Sequence, residues 1–374
     1  GVLPAVLAAA RSGCGAVLVP YANVAEAGVV TGVEVRGASS LAGVVARLRG
    51  EAGPDDHDAR DAAAGPTTTA GALDRAESGE GEESLDLADV AGQPVARRLV
   101  EVAAAGRHHL LLTGPPGTGK TMLARRLPGL LPPLSTEHSL EVTAIHSVAG
   151  LLDPTAPLVR RPPFVDPHHT SSAAALVGGG SGAVRPGAVS LAHRGVLLLD
   201  EAPEFPRPAL ESLRQPLERG HVVIHRASAS CRFPARIKLV LTANPCPCGF
   251  AGSVVRPCSC PPMTVRRYQT RLSGPLLDRI DLHGCVTPTS AAALSAEGPD
   301  RESSATVAER VASARDRQRR RFADLPWSVN ADIPTSALAG RWGPQRASVR
   351  LLADAVARGV VSARGRDRIV RVAW

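Results

Sequence analysis

Between an apolar run, His109 to Thr113, and an amphipathic one, Met122 to Leu127, the chain reads Gly114-Pro115-Pro116-Gly117-Thr118-Gly119-Lys120-Thr121. This fits G-x-x-x-x-G-K-[ST], and a strand before and a helix after it form the context of a phosphate-binding loop. Glycines let backbone N–H groups turn inward around phosphates, and the helix N-terminus adds a favourable dipole. Lys120 is placed for the β- and γ-phosphates of ATP, and the Thr121 hydroxyl for Mg2+. The competing reading is a plain Gly/Pro turn before a helix, and the motif in this context disfavours it. Of 43 basic residues only Lys120 and Lys238 are lysines. A lysine therefore stands out in a chain that otherwise writes arginine.

The 374 residues, 44% hydrophobic and 21% charged, suffice for two or three domains with cores. The apolar stretches fall short of the ~20 residues that span a bilayer, so no membrane partner is expected. The opening Gly1-Val2-Leu3-Pro4 has no basic region of a signal peptide, which points to a fragment of a soluble cytoplasmic protein. Eleven acidic residues against Arg60 and Arg75 lie between Glu51 and Asp86, so the remainder holds 41 basic and 24 acidic residues, a net +17. A body that basic suits a polyanion such as DNA, although scattered solvated arginines would give the same sum.

Composition divides the chain. Residues 1–50 mix short apolar runs with a helical Leu41 to Leu48, a small α/β piece too short to fold well alone. Residues 51–86 read as an acidic, flexible linker. Residues 87–287 alternate strands (Val196 to Leu199, Ile237 to Thr242) with helices (Ala209 to Leu217), predicting an α/β core with a parallel sheet flanked by helices. Val222 to Ile224 and Cys231 to Phe233 suggest a hairpin, and Gly178 to Gly182 a glycine-rich loop. Residues 301–374 read as a helical domain that stops with a helix still running.

Further groups carry chemistry. Val196-Leu197-Leu198-Leu199-Asp200-Glu201 is a strand ending in two acids, Asp200 for Mg2+ and Glu201 to polarise an attacking water. Asn244, beyond the strand Ile237 to Thr242, is either an amide that orients water at the γ-phosphate or a turn residue before Pro245. Arg279, in Ser273 to Asp281, stands where ring ATPases supply an arginine finger to a neighbour, or else pairs within the chain with Asp278 or Asp281. Arg364 is the leading arginine of the helical domain to reach nucleotide, with Arg366 and Arg368 competing. Cys246, Cys248, Cys258 and Cys260 are spaced C-x-C-x9-C-x-C; four thiols so close together suggest a structural Zn2+, whereas C-x-C in place of the commoner C-x2-C leaves reduced structural or redox-responsive thiols as the alternative. Cys14, Cys231 and Cys285 read as small core residues. His168-His169 are metal ligands, loop contacts to substrate or, more commonly for such a pair, structural loop residues.

With these residues in place, the chain resembles the magnesium-chelatase-like AAA+ ATPases of the ComM/YifB group. The shared motifs run from Asp89-Val90-Ala91-Gly92-Gln93 through Gly114 to Thr121, Pro167-His168-His169-Thr170, Gly178-Gly179-Gly180, Arg185-Pro186-Gly187, Ser190-Leu191-Ala192-His193 and Leu199-Asp200-Glu201 to Asn244 to Gly249 and Ser273 to Asp281. The resemblance implies an AAA+ P-loop core at 87–287 with a four-cysteine insert at 246–260, and a truncated helical lid at 301–374. It also implies that 1–50 is the remnant of an N-terminal Lon-protease-like domain. Ala188 stands where the family usually has an acid. The implied activity is an ATP-driven homo-hexameric DNA motor in branch migration and transformation. The alternative is a protein-remodelling ATPase of the magnesium-chelatase I or MoxR type. Arg226, Arg232 and Arg236 on the hairpin, with the Gly178 loop, are the candidate DNA contacts.

Overall fold

The computed structural model describes residues 1–50, 85–153, 156–180, 184–226, 230–253, 256–289 and 301–374. The expected linker lies almost wholly outside them, as do part of the Gly178 loop and the tip of the hairpin. The described residues fall into two compact units.

The first unit joins residues 1–50 to 134–161. Ala16–Pro20 pairs in parallel with Glu34–Ala38, between helices Leu3–Arg11 and Leu41–Arg49. Leu3, Val6, Val19, Ala27 and Val30 form a small core, and Ala144 of the helix Thr136–Ala149 packs on it. A segment about a hundred residues away thus completes what residues 1–50 lack. The Glu26 carboxylate accepts the N–H groups of Val2 and Leu3 at 3.0 and 2.9 Å.

The second unit is built on a five-stranded parallel sheet. In chain order, the sheet strands and the helices that frame them include α1 (Pro94–Gly106), β1 (Leu110–Thr113), α2 (Lys120–Arg126), β2 (Phe164–Val165), β3 (Val196–Leu199), α3 (Arg214–Arg219), β4 (Lys238–Ala243), α4 (Pro262–Gln269) and β5 (Leu282–Cys285). Strand order across the sheet is β5-β1-β4-β3-β2, every pairing parallel. β3 and β4 are buried along their whole length, as unbroken apolar strands covered on both faces must be. Leu110, Leu112, Val196, Leu198 and Val240 face α1 and α2 on one side. Leu197, Leu199, Leu239 and Leu241 pack with Leu210, Leu213 and Leu276 on the other. The parallel sheet with flanking helices is as the sequence predicts.

The helical stretch expected over Ala209 to Leu217 is two short helices, Arg207–Ser212 and α3, parted at Leu213. The expected hairpin pairs His221–His225 with Ser230–Pro234 in antiparallel register. Cys14 and Cys285 are exposed and Cys231 is half-buried, which corrects their reading as core residues. Cys285 ends an edge strand, where one face is open.

After the sheet come α5 (Ser304–Arg321), α6 (Arg346–Ala357) and α7 (Ala363–Ala373). Phe322, Ile333, Leu338, Trp342, Leu352 and Val370 form a separate core. α5 ties this helical region to α1: Gln318 donates to the Ala105 carbonyl at 3.0 Å, and Arg310 bridges Glu101 at 3.0 Å. Among the described residues no helix is long and apolar enough to cross a membrane.

Candidate functional site

Parallel strands bring their C-terminal ends to one edge, where α/β sheets bind ligands. β1, β3 and β4 run straight into Gly114, Asp200 and Asn244. Leu199 lies opposite Leu241 and Ala243 opposite Thr113. Register alone therefore sets Asp200 beside Thr242 and Asn244 beside the loop.

The loop turns at Gly117 and Gly119, whose φ angles of 74° and 90° suit glycine. A Cβ on Gly114 would lie 2.1 Å from the Val286 carbonyl oxygen, so this position admits no side chain. Thr118 Oγ1 donates to the Pro115 carbonyl at 2.8 Å. Lys120 Nζ donates to the carbonyls of Gly114 and Pro115, both at 2.8 Å, and to Asn244 Oδ1 at 3.0 Å. Burial pulls this amine below the usual lysine range, against the opposing pull of Asp200 and Glu201.

Thr121 Oγ1 donates to both Asp200 oxygens, at 2.9 and 3.1 Å. Thr242 Oγ1 donates to Asp200 Oδ1 at 2.5 Å and accepts the Glu201 N–H at 2.9 Å. Glu201 is exposed and held at φ 51°, a left-handed conformation rare for glutamate. Thr242 thus fixes both acids and was not foreseen. The strand pattern places it at a buried position without showing what its hydroxyl meets.

Asp166, beyond β2, bonds Arg125 at 2.8 Å. Burial raises its pKa, opposed by Arg125 and assisted by Asp200. His168 and His169 stack with ring centroids 4.1 Å apart, and His168 Nδ1 meets Thr170 Oγ1 at 2.9 Å. Among the described residues they join no group of three or more metal-ligating side chains.

The four cysteines do form such a group, their sulfurs all within 4.8 Å of one another. Cys246 and Cys248 sulfurs are 3.3 Å apart, Cys248 and Cys258 3.5 Å, and Cys246 and Cys258 3.7 Å. A disulfide needs about 2.05 Å, whereas four sulfurs at about 2.3 Å from one tetrahedral ion sit about 3.8 Å apart. Backbone N–H groups of Ala251 and Cys260 point at the Cys246 and Cys258 sulfurs, at 3.3 and 3.4 Å.

Arg279 stands at the other end of the sheet. Asp281, two residues on, accepts the His109 N–H at 2.9 Å, just before β1. Four residues of β1, roughly 10 Å of strand, separate that level from the loop. The Arg279 guanidinium bonds Glu218 of α3 at 2.7 Å and the Pro275 carbonyl at 2.5 Å, rather than Asp278 or Asp281. Arg364 reaches the same Glu218 oxygen at 3.4 Å. It stands with Arg279, not with Lys120. Arg366 bonds Asp367 at 2.7 Å and Arg368 the Leu277 carbonyl at 3.2 Å. On the hairpin, Arg232 faces His221 at 3.3 Å, and the Arg236 N–H donates to His193 at 3.0 Å.

The family described as magnesium chelatase, subunit ChlI, matches residues 86–294, and its C-terminal family matches 301–374. A protein of Mycobacterium tuberculosis is 52% identical over the whole of this chain and 70% of its own length. YifB of Salmonella typhimurium is 40% identical over 96% of this chain and 66% of its own length. The competence protein ComM of Haemophilus influenzae is 40% identical over 88% of this chain and 62% of its own length.

Proposed function

The chain belongs to the magnesium-chelatase-like AAA+ family of ComM/YifB type, and we propose on that premise that it hydrolyses ATP as a subunit of a homo-hexameric ring that moves along DNA in the cytoplasm. The observation that carries the ATPase reading is the network Asn244–Lys120 and Thr121–Asp200–Thr242 at the ends of three adjacent strands. Backbone N–H groups of residues 114–119 cradle the phosphates, and Lys120 exchanges its carbonyl partners for phosphate oxygens. Thr121 and Asp200 offer paired hard oxygens, a donor set that fits Mg2+. Magnesium, when bound, neutralises charge between the β- and γ-phosphates. Glu201 accepts the proton of the attacking water, and Asn244 orients that water.

Arg279 at the opposite sheet end reaches no nucleotide of its own subunit and serves as finger for a neighbour's γ-phosphate. Arg364, sharing Glu218, faces the same neighbour. The four cysteines hold a structural Zn2+, a reading supported by four sulfurs gathered within 4.8 Å of one another, although C-x-C is a less common ligand spacing than C-x2-C. Residues 87–287 form the ATPase core, 301–374 the lid and 1–50 part of an N-terminal domain. The +17 charge outside residues 51–86 supports a polyanionic track, with Arg226, Arg232 and Arg236 as phosphate contacts.

ATP turnover measured with and without forked or single-stranded DNA, at two salt concentrations, tests this reading. Stimulation by DNA that fades steeply with salt is expected, with Lys120→Ala inactive throughout. Turnover indifferent to DNA refutes the DNA motor and favours remodelling of a protein partner.

A further inference from the structure

The four-cysteine group stands against the nucleotide loop, not apart from it. Gly249, between Cys248 and Phe250, has φ 85°, and a Cβ there would lie 2.3 Å from Pro116 Cδ and 2.5 Å from its Cγ. The cysteine turn therefore lies directly on the second proline of the loop. Two residues before Cys246, Asn244 holds the Lys120 amine at 3.0 Å. On the far side, Cys258 and Cys260 lead into α4, where Gln269 donates to the Pro245 carbonyl at 3.1 Å. Arg271, just after α4, bonds the Pro203 carbonyl and Glu204, both at 3.0 Å, in the turn that follows Glu201.

Cys246, buried, and Cys248, half-buried, are on the segment leaving β4; Cys258 and Cys260, both half-buried, are on the segment entering α4. Beyond β4, the described residues from Asn244 to Pro261 form no helix or strand. A single ion gathering four sulfurs would close that irregular segment into a rigid unit, since each metal–thiolate bond removes freedom that no hydrogen-bonded ladder removes here.

We infer that the four-cysteine metal site is the brace that holds Asn244 and the Pro116 wall of the loop in place, so that nucleotide binding depends on the metal. This deepens the zinc reading above and rests on it. Zn2+ held by Cys246, Cys248, Cys258 and Cys260 fixes the Cys248-Gly249 turn, and the turn fixes Pro116. Through Pro245, the same ion fixes the peptide that carries Asn244. Without the ion, Lys120 loses an oriented acceptor and the loop loses one wall. The same coupling makes the nucleotide site sensitive to oxidation of the thiols, because a disulfide among them cannot keep four sulfurs around one centre.

The test measures zinc per chain by elemental analysis and the Kd for Mg-ADP by equilibrium titration, before and after a chelator strips the metal and after zinc is returned. One zinc per chain is expected, with a Kd at least tenfold weaker after stripping, restored by zinc, and a far-UV CD spectrum that keeps its helical content. A Gly249→Ala variant retains all four thiols and separates the brace from the ion. It should bind zinc normally yet bind Mg-ADP several-fold more weakly, through its clash with Pro116. Stripped protein that stays folded and binds Mg-ADP as tightly as before overturns the brace while leaving the zinc site standing. Absence of zinc from protein prepared without chelator refutes the metal reading and the brace with it. Failure of the zinc-loaded chain to bind Mg-ADP refutes the nucleotide site on which the brace depends.

Discussion

Thr242 is where the geometry makes its sharpest demand. Replacing it by valine keeps the shape of a fully buried strand residue and removes one hydroxyl. That hydroxyl donates to the Asp200 carboxylate at 2.5 Å and accepts the Glu201 N–H at 2.9 Å. A hydrogen bond to a charged group contributes about 1.5–3 kcal/mol and a neutral one about 0.5–1.5 kcal/mol, so Thr242→Val is expected to lose about 2–4 kcal/mol. For a folding unit of this size that lowers Tm by roughly 5–15 °C. Glu201 would also lose the bond that keeps its backbone left-handed, and relaxation to an ordinary conformation swings its carboxylate away from the loop. A displacement of about 1 Å at a reacting group costs on the order of 10²-fold in kcat. Thr242→Ser keeps the hydroxyl and gives up a methyl group, so it should retain most of the turnover and lose about 1 kcal/mol. Thermal melts and steady-state ATP hydrolysis of the two variants side by side decide the matter. If valine and serine melt together and turn over ATP equally, the hydroxyl positions neither acid.

Arg279→Ala and Lys120→Ala should each be inactive alone, yet mixing them should recover turnover. A Lys120→Ala subunit still lends its Arg279 to the intact loop of an Arg279→Ala neighbour; co-assembled mixtures that stay silent would refute a finger acting between subunits. Lys238 is fully buried and its amine has no hydrogen-bond partner among the described residues. Burial, assisted by Arg315 and Arg107, pulls its pKa well below the usual lysine value. The unfolded chain therefore binds a proton that the folded chain does not, and stability rises with pH by about 1.4 kcal/mol per unit from the folded pKa up to the unfolded one near 10.4. Lys238→Met should stabilise the protein by about 1–3 kcal/mol at pH 7 and flatten that slope. Denaturant melts from pH 7 to 9 check it, and a Met variant less stable than the parent at pH 7 would show that the amine is paired. Gly114→Ala should abolish nucleotide binding, because its Cβ would meet the Val286 carbonyl oxygen at 2.1 Å. Unchanged Mg-ADP affinity would mean that the β1–β5 edge is softer than its register implies.

The glycine-rich turn between β1 and α2, the acid-ended strand and the parallel α/β core were legible because each is local. Eight consecutive residues carry the loop, and an apolar run bounded by polar residues carries each strand. The four-cysteine group was legible for the same reason, its two C-x-C pairs lying nine residues apart in a single segment. What those residues meet was decided by tertiary structure. Thr242 finds Asp200 only because β4 pairs with β3 in one register, and a shift of one residue would turn its hydroxyl to the other face. Arg279 was expected either as a finger or beside Asp278 or Asp281. It meets Glu218 because α3 and the turn before β5 converge from positions 61 residues apart. Arg364 adds a third distant segment to that oxygen, which no spacing rule could have chosen over Arg366 or Arg368. Residues 1–50 acquire the helix Thr136–Ala149 from beyond α2. The sequence by itself determined the chemistry available at each strand end, since side-chain type and local backbone preference travel with the chain. Tertiary structure alone decided the partners, because strand register and long-range packing are collective properties of segments that are remote in sequence.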